Sequence, residues 1–270
     1  MHNDEHICTV LEQVGEFISL DSVMVVGAAC RDIHQSSFRN AEPARATGDV
    51  DLGLAVEDWG AFLALRSAFS PHSSAWQEVK IGDIAVDLVP FGPLETPPGT
   101  VVTDDGIQMN VAGFQEAFDN ADLHTLSNGM QIKIPTVPGL AALKLHAWLD
   151  RYLKGNYKDA YDLALIMAWY GEPQAERLFD RFLEYREPEE IFPDDQLAAF
   201  VLGADVAVEL GVEAASILHE RFEREPENGI ELLAKELTCR GEHSLPKDRR
   251  RAQVDSLLDG LNEGIRGMSI

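Results

Sequence analysis

Residues 47–54 read Thr47-Gly48-Asp49-Val50-Asp51-Leu52-Gly53-Leu54. Val50, Leu52 and Leu54 alternate with Asp49, Asp51 and Gly53, the period-two pattern of a strand with one face in a core. A strand sends Asp49 and Asp51 to the same side, with their Cα atoms about 6–7 Å apart. Two carboxylates so placed beside apolar flanks repel each other and resist burial. A divalent cation offsets that repulsion best. Hard Mg²⁺ takes carboxylate oxygens and commonly shares them with substrate phosphates. An edge strand with a solvated acidic face is the other reading of the same pattern.

The flanking segments bear on that choice. Upstream, Val23–Val26 is a short apolar run closed by Gly27, and small and polar residues follow to Ser37. This predicts a buried strand, a glycine turn and a helix beginning just after the glycine. Such a turn lets a backbone amide and a helix start approach a phosphate. Downstream, Asp58–Phe69 has helical spacing, with Phe62, Leu65 and Phe69 on one stripe. Val79–Ile81 and Ile84–Val89 flank Gly82-Asp83, a hairpin signal. The second of these strands sets a single acid, Asp87, among apolar residues. If it lies beside the Asp49–Asp51 strand, about 4.8 Å away, three carboxylates converge. That is enough for two metal ions about 3.5–4 Å apart.

Residues 7–18 predict an amphipathic helix through Ile7, Val10, Leu11, Val14, Phe17 and Ile18. Pro90, Pro93, Pro97 and Pro98 predict irregular chain, and Ser127-Asn128-Gly129 predicts a hairpin leading into Met130–Ile134. After Pro135 and Pro138 the texture becomes helical. Tyr161, Ala164, Leu165, Ala168 and Trp169 form one stripe. Ala198–Leu210, Val212–Phe222, Ile230–Leu237 and Arg250–Leu261 are further helices by the same spacing. The boundary falls near residue 136, which predicts an α/β domain over 1–136 and a helical C-terminal domain over 137–270.

Composition narrows the function. The 270 residues are 45% apolar and carry 22 basic against 46 acidic side chains, a net charge of −24. That field repels polyanions, which excludes non-specific grip on duplex DNA and binding to an anionic membrane surface. Cys8, Cys30 and Cys239 are too scattered for a disulfide framework or a metal knuckle. The start, MHNDEHICTV, has no basic segment before an apolar core, and the longest apolar runs are far below the roughly 20 residues of a membrane helix. A cytoplasmic protein is expected. The sequence contains no Walker A, Gly-x-Gly-x-x-Gly, His-Glu-x-x-His or Gly-x-Ser-x-Gly motif.

Taken together, VVGAACRD (25–32), ATGDVDLGL (46–54), IAVDLVPFG (84–92), PGLAALKLHAWLDR (138–151) and KDAYDL (158–163) resemble the AbiEii/AbiGii-type nucleotidyltransferases of bacterial toxin–antitoxin and phage-defence systems. These belong to the polymerase-β-like superfamily, and the resemblance spans roughly residues 20–170. It implies a nucleotidyltransferase domain with a mixed sheet, followed by helices. Gly27 would open the nucleotide-binding turn. Ala28 stands where superfamily members often have serine, so phosphate would be gripped by backbone amides and by cations. Asp49 and Asp51 would hold Mg²⁺ (or Mn²⁺), and Asp87 would complete the metal site or act as general base. Lys158 and Asp162 match the family's later Lys-x-x-x-Asp motif and share a helix face; the same spacing also describes a surface ion pair. Lys144 and Arg151, seven apart, would bring cations toward the triphosphate. A lysine in an apolar stripe such as that of Lys144 needs an acid or a phosphate partner. Arg31 would face the nucleotide or cap a helix.

His34, His124 and His146 lack ligand spacing and read as structural, and Cys30 as a small core residue. Lys247 with Arg249–Arg251 is the only basic run, either a solvated helix face or a place for an RNA phosphate. The implied activity moves a nucleoside monophosphate from a nucleoside triphosphate (NTP) to an acceptor hydroxyl on an RNA end or a protein, with an antitoxin protein as a further partner. The alternative is a catalytically silent module that holds a nucleotide or a protein on the same scaffold.

Overall fold

The chain forms two compact units, Met1–Thr136 and Val137–Ile270. The computed structural model describes residues 2–39, 48–171, 175–186, 193–225, 227–238 and 245–269. It is α/β, with a mixed sheet and many helices.

In the first unit α1 (His2–Val14) precedes a short 3₁₀ turn and the strand β1 (Val23–Val26). The helix α2 (Gly27–Arg39) starts directly on the glycine, and β2 (Asp49–Ala55) and α3 (Trp59–Ser67) follow. Next come β3 (Ser70–Pro71), β4 (Glu78–Ile81), β5 (Ile84–Phe91), β6 (Thr100–Val102), β7 (Gln108–Asn110), α4 (Phe114–Asp119), β8 (Asp122–Thr125) and β9 (Gln131–Ile134). Seven strands form one sheet in the order β3-β4-β5-β2-β1-β9-β8, and β6 pairs with β7 alone. β2 runs antiparallel to β1 and parallel to β5, and β9 runs parallel to β1. One face of β2, β4 and β5 is fully buried, through Val50, Leu52, Leu54, Val79, Val86 and Leu88.

Three sequence expectations change here. The first helix ends at Val14, not at residue 18. Gly15 is a poor helix former, and the chain turns there, with the Phe17 and Ile18 amides both donating to Val14 O. Phe17 is left 52% exposed, edge-on to Phe69 at 5.6 Å. The third helix stops at Ser67, which leaves Phe69 outside it.

Pro90 does not end its strand, because β5 runs on to Phe91. The reason lies in the pairing. Leu88 donates its amide toward the β4 side, to Gln77 O, so the nitrogen of Pro90 faces that side too. β4 has already ended there, since its last partner on β5 is Asp87. A residue without an N–H costs nothing where no strand waits to accept.

In the second unit every regular element among the described residues is helical. These are α5 (Val137–Arg151), a 3₁₀ turn, α6 (Lys158–Tyr170), α7 (Ala175–Phe182), α8 (Asp194–Glu223), α9 (Glu227–Glu236) and α10 (Lys247–Met268). α8 is broken at Gly211, whose φ is 73° and ψ 167°, so its halves match the two helices read from sequence. α10 lies against α8 at backbone distance. A Cβ at Gly260 would strike Phe200 O, and one at Gly203 would strike Leu257 O.

Candidate functional site

Because β2 and β5 are parallel and in register, Asp51 sits opposite Asp87 and Asp49 opposite Ala85. Register partners point to the same face, and so do residues two apart on one strand. Asp49, Asp51 and Asp87 therefore share one face of the sheet, opposite the buried apolar face. Asp49 is exposed; Asp51 and Asp87 are half-buried. On the β1 side, Asp51 faces Val26, and the next residue is Gly27. Gly27 has φ +65°, a conformation that L side chains rarely adopt. Its missing side chain leaves the space that the Asp51 carboxylate fills. The acid face and the glycine turn are thus one construction.

The row extends to a residue that sequence reading missed. Glu78 on β4 is in register with Asp87, so it belongs to the same face. Its signal was available only as Glu78-Val79-Lys80-Ile81, an ordinary strand alternation without a motif.

Among the described residues, no group of three or more His, Cys, Asp or Glu side chains is placed to hold a metal ion. The convergence expected of three carboxylates is accordingly a shared face rather than an assembled cage. An all-oxygen pair such as Asp49 and Asp51 still fits a hard cation, since Mg²⁺ is usually held by one or two carboxylates plus phosphate oxygens and water. Thr47, quoted with the acid motif, lies outside the described residues.

The expected phosphate-binding cations are placed as follows. Ala28 is buried in the first turn of α2. Arg31 is fully buried, and its Nε and Nη2 donate to Asp32 Oδ1 at 2.9 and 2.6 Å. Lys144 is buried in α5, and its Nζ contacts Asp162 Oδ2 at 2.6 Å and Asp159 Oδ1 at 3.2 Å. The other oxygen of Asp159 takes Arg151 Nη1 at 3.2 Å. Lys144 thus has acid partners, and Asp159 is a member of the cluster that sequence reading did not single out. Lys158 is exposed, and Asp162 is bridged by Lys144 of α5. The register of α5 against α6 decides this, not the spacing within α6.

The three arginines of the basic run are engaged in the same way, while Lys247 is exposed. Arg249 bonds Asp195, Arg251 bonds Asp255 and Glu231, and Arg250 is buried with its Nη1 on Gln253. Guanidinium groups so engaged are poor places for an RNA phosphate.

His34 and His146 are structural in placement, and His124 lies part-buried on β8. His34 lies 2.8 Å from Pro135 O through Nε2, and burial lowers its pKa. His146 is buried, and Arg221 Nη1 donates to its Nδ1 at 2.8 Å. Burial first, and the Arg221 charge second, bring its pKa down to about 4. Cys8 and Cys30 are buried thiols; Cys239 lies outside the described residues.

Comparison with protein families defines the class first: residues 37–229 match a nucleotidyl transferase model. More narrowly, the chain belongs to the AbiEii family, described as "Nucleotidyl transferase AbiEii toxin, Type IV TA system". The match includes Asp49, Asp51, Asp87, Lys144, Arg151, Lys158 and Asp162, while Gly27, Ala28 and Arg31 precede it. A search of curated proteins gives no match. No helix among the described residues is long and apolar enough to cross a membrane.

Proposed function

We propose that this chain transfers a nucleoside monophosphate from an NTP to an acceptor hydroxyl, and that the reaction takes place on the acid face of the sheet. The observation that carries the reading is the position of Asp51, in register with Asp87 on one side and filling the space above Gly27 on the other. Gly27 opens α2, whose first-turn amides have no partner within the helix and suit an anion. Asp49 and Asp51 would hold Mg²⁺ (or Mn²⁺), with phosphate oxygens completing its shell. When bound, the ion supplies charge compensation to the phosphates and lowers the pKa of a hydroxyl beside it.

Asp87 lies on the side of Asp51 away from the glycine turn, and it would receive the proton of the attacking hydroxyl or complete the metal site. The hydroxyl oxygen bonds to the α-phosphorus, the bond from that phosphorus to the bridging oxygen breaks, and pyrophosphate leaves with the electron pair. Positioning and charge compensation supply most of the acceleration in such a transfer. The acceptor is an RNA end or a protein hydroxyl, and the partner that the family implies is an antitoxin protein.

The test is to incubate the chain with each α-labelled NTP, Mg²⁺ and either total cell RNA or lysate protein. Label appearing in one acceptor class, and disappearing with Asp51→Asn, supports the reading and names the acceptor. Binding of NTP with no label transferred in either mixture overturns it in favour of a silent binding module.

A further inference from the structure

An NTP bound at the acid face brings about four negative charges to a unit whose 6 basic and 20 acidic residues already leave it at −14. One or two divalent ions at the carboxylates leave the far phosphates without a partner. Cations are therefore needed on the acid-bearing face itself. Among the described side chains of 1–136, Arg31 is buried against Asp32, and Arg66 donates through Nε to Trp76 O. Lys80, in register with Ala85, does stand on the acid face. It is bound to Asp83 at 2.9 Å in the exposed hairpin, three strands from β1.

Lys133 stands differently. It is in register with Met24 on the neighbouring strand β1, and Met24 with Gly53, the residue two beyond Asp51. Lys133 is consequently on the acid face, one strand from β1, on the side of β1 away from the carboxylates. β1 is the strand that ends in the Gly27 turn. Lys133 lies level with Met24, three residues before Gly27, so the acids and Lys133 stand on opposite sides of β1, as the two ends of a triphosphate lying across that strand require.

The side chain is half-buried, and its Nζ lies over the Phe118 ring, 3.6 Å from the centroid. A ring holds an ammonium through its quadrupole alone, and a phosphate holds it by charge and hydrogen bonds together. The aromatic seat is a resting place that a phosphate outcompetes.

We propose that Lys133 is the cation that takes the non-transferred phosphates of the NTP, moving off Phe118 when the nucleotide binds. The inference rests on the acid face being the transfer site. The test measures affinities of the full chain for each Mg·NTP and for the matching Mg·NMP by titration calorimetry. The variants are Lys133→Met, Lys133→Arg and Phe118→Leu. Lys133→Met is expected to weaken NTP binding about tenfold or more and to leave NMP binding unchanged. Lys133→Arg should recover most of the loss. Phe118→Leu should keep or tighten NTP affinity, because it frees the ammonium.

Three results overturn the proposal: parental NTP affinity in Lys133→Met, equal losses for NTP and NMP, or a loss in Phe118→Leu as large as in Lys133→Met. The last would make the contact a clamp on α4 only. Should Lys133→Met fail to fold, Lys133→Gln carries the same comparison. A parent that transfers label while Lys133→Met binds NTP normally defeats this inference alone. A parent that binds no NTP defeats the transferase reading as well.

Discussion

The Asp51 carboxylate occupies the space that a side chain at Gly27 would need. Two segments more than twenty residues apart in sequence are fitted to each other atom against atom, at the point where β1 turns into α2 with φ +65°. Gly27→Ala should therefore fail twice. The positive φ costs an L residue about 1–2 kcal/mol, and the new Cβ pushes Asp51 away from its position. We expect a melting temperature several degrees lower and loss of label transfer. In a double-mutant cycle with Asp51→Gly the two changes should couple by more than about 0.5 kcal/mol. Simple additivity would mean that the two residues do not share the space.

Asp51→Asn separates an acid kept for chemistry from one kept for structure. Asp51 faces Asp87 across the strands, and like charges placed opposite each other destabilise a sheet. The metal-free variant should melt at or slightly above the parent. Added Mg²⁺ should raise the parent's melting temperature by mass action and raise the variant's much less. Transfer should fall by orders of magnitude, because the reacting groups lose their alignment. A variant that melts several degrees lower in EDTA and keeps its activity makes Asp51 scaffold.

Lys144 is held between two buried carboxylates. Lys144→Met takes the ammonium away from both acids while Arg151 stays on Asp159, and breaking a buried ion pair from one side costs about 3–5 kcal/mol. Lys158→Met, at an exposed position, should stay within about 0.5 kcal/mol of the parent. Urea midpoints of the two variants make the comparison, and equal midpoints would refute the burial argument.

His146 makes stability depend on pH. Its folded-state pKa of about 4 lies below the ordinary 6.5, so between those values the unfolded chain binds the proton that the folded chain refuses. Stability is full above about pH 6.5 and is lost as pH falls toward 4, by about 3 kcal/mol at 1.36 kcal/mol per unit. The change then levels off. In His146→Asn, whose side-chain carbonyl can still accept from Arg221, that part of the acid-side slope should vanish. Parallel slopes for parent and variant from pH 6.5 to 4 would show that His146 is not the group responsible.

Much of this was legible in the chain. The alternation around Asp49 and Asp51, the glycines at 27 and 82, and the Asn128-Gly129 turn each specify local backbone, and local backbone follows from neighbours a few residues away. The breaks at Gly82, Gly129 and Gly211 fall where the residue that tolerates positive φ stands. Where sequence reading went astray, a distant partner was in control. Pro90 stays in its strand because β4 stops short of it. Asp162 is bridged by Lys144 from another helix, a pairing that the spacing within α6 does not reveal.

The sequence by itself determined that strands would carry Asp49, Asp51 and Asp87 on defined faces, and that the chain would turn helical after residue 136. Side-chain direction along a strand has period two and needs no tertiary information. Only the tertiary structure decided that β5 lies beside β2 in the register that sets Asp51 opposite Asp87, and that Glu78 continues the row. It alone showed that Lys133 shares their face while Arg31 and Lys144 are bound to acids. Register and ion pairing join residues far apart in sequence. Shifting a strand by one position would turn every acid to the other face, and that choice is made by core packing over the whole sheet.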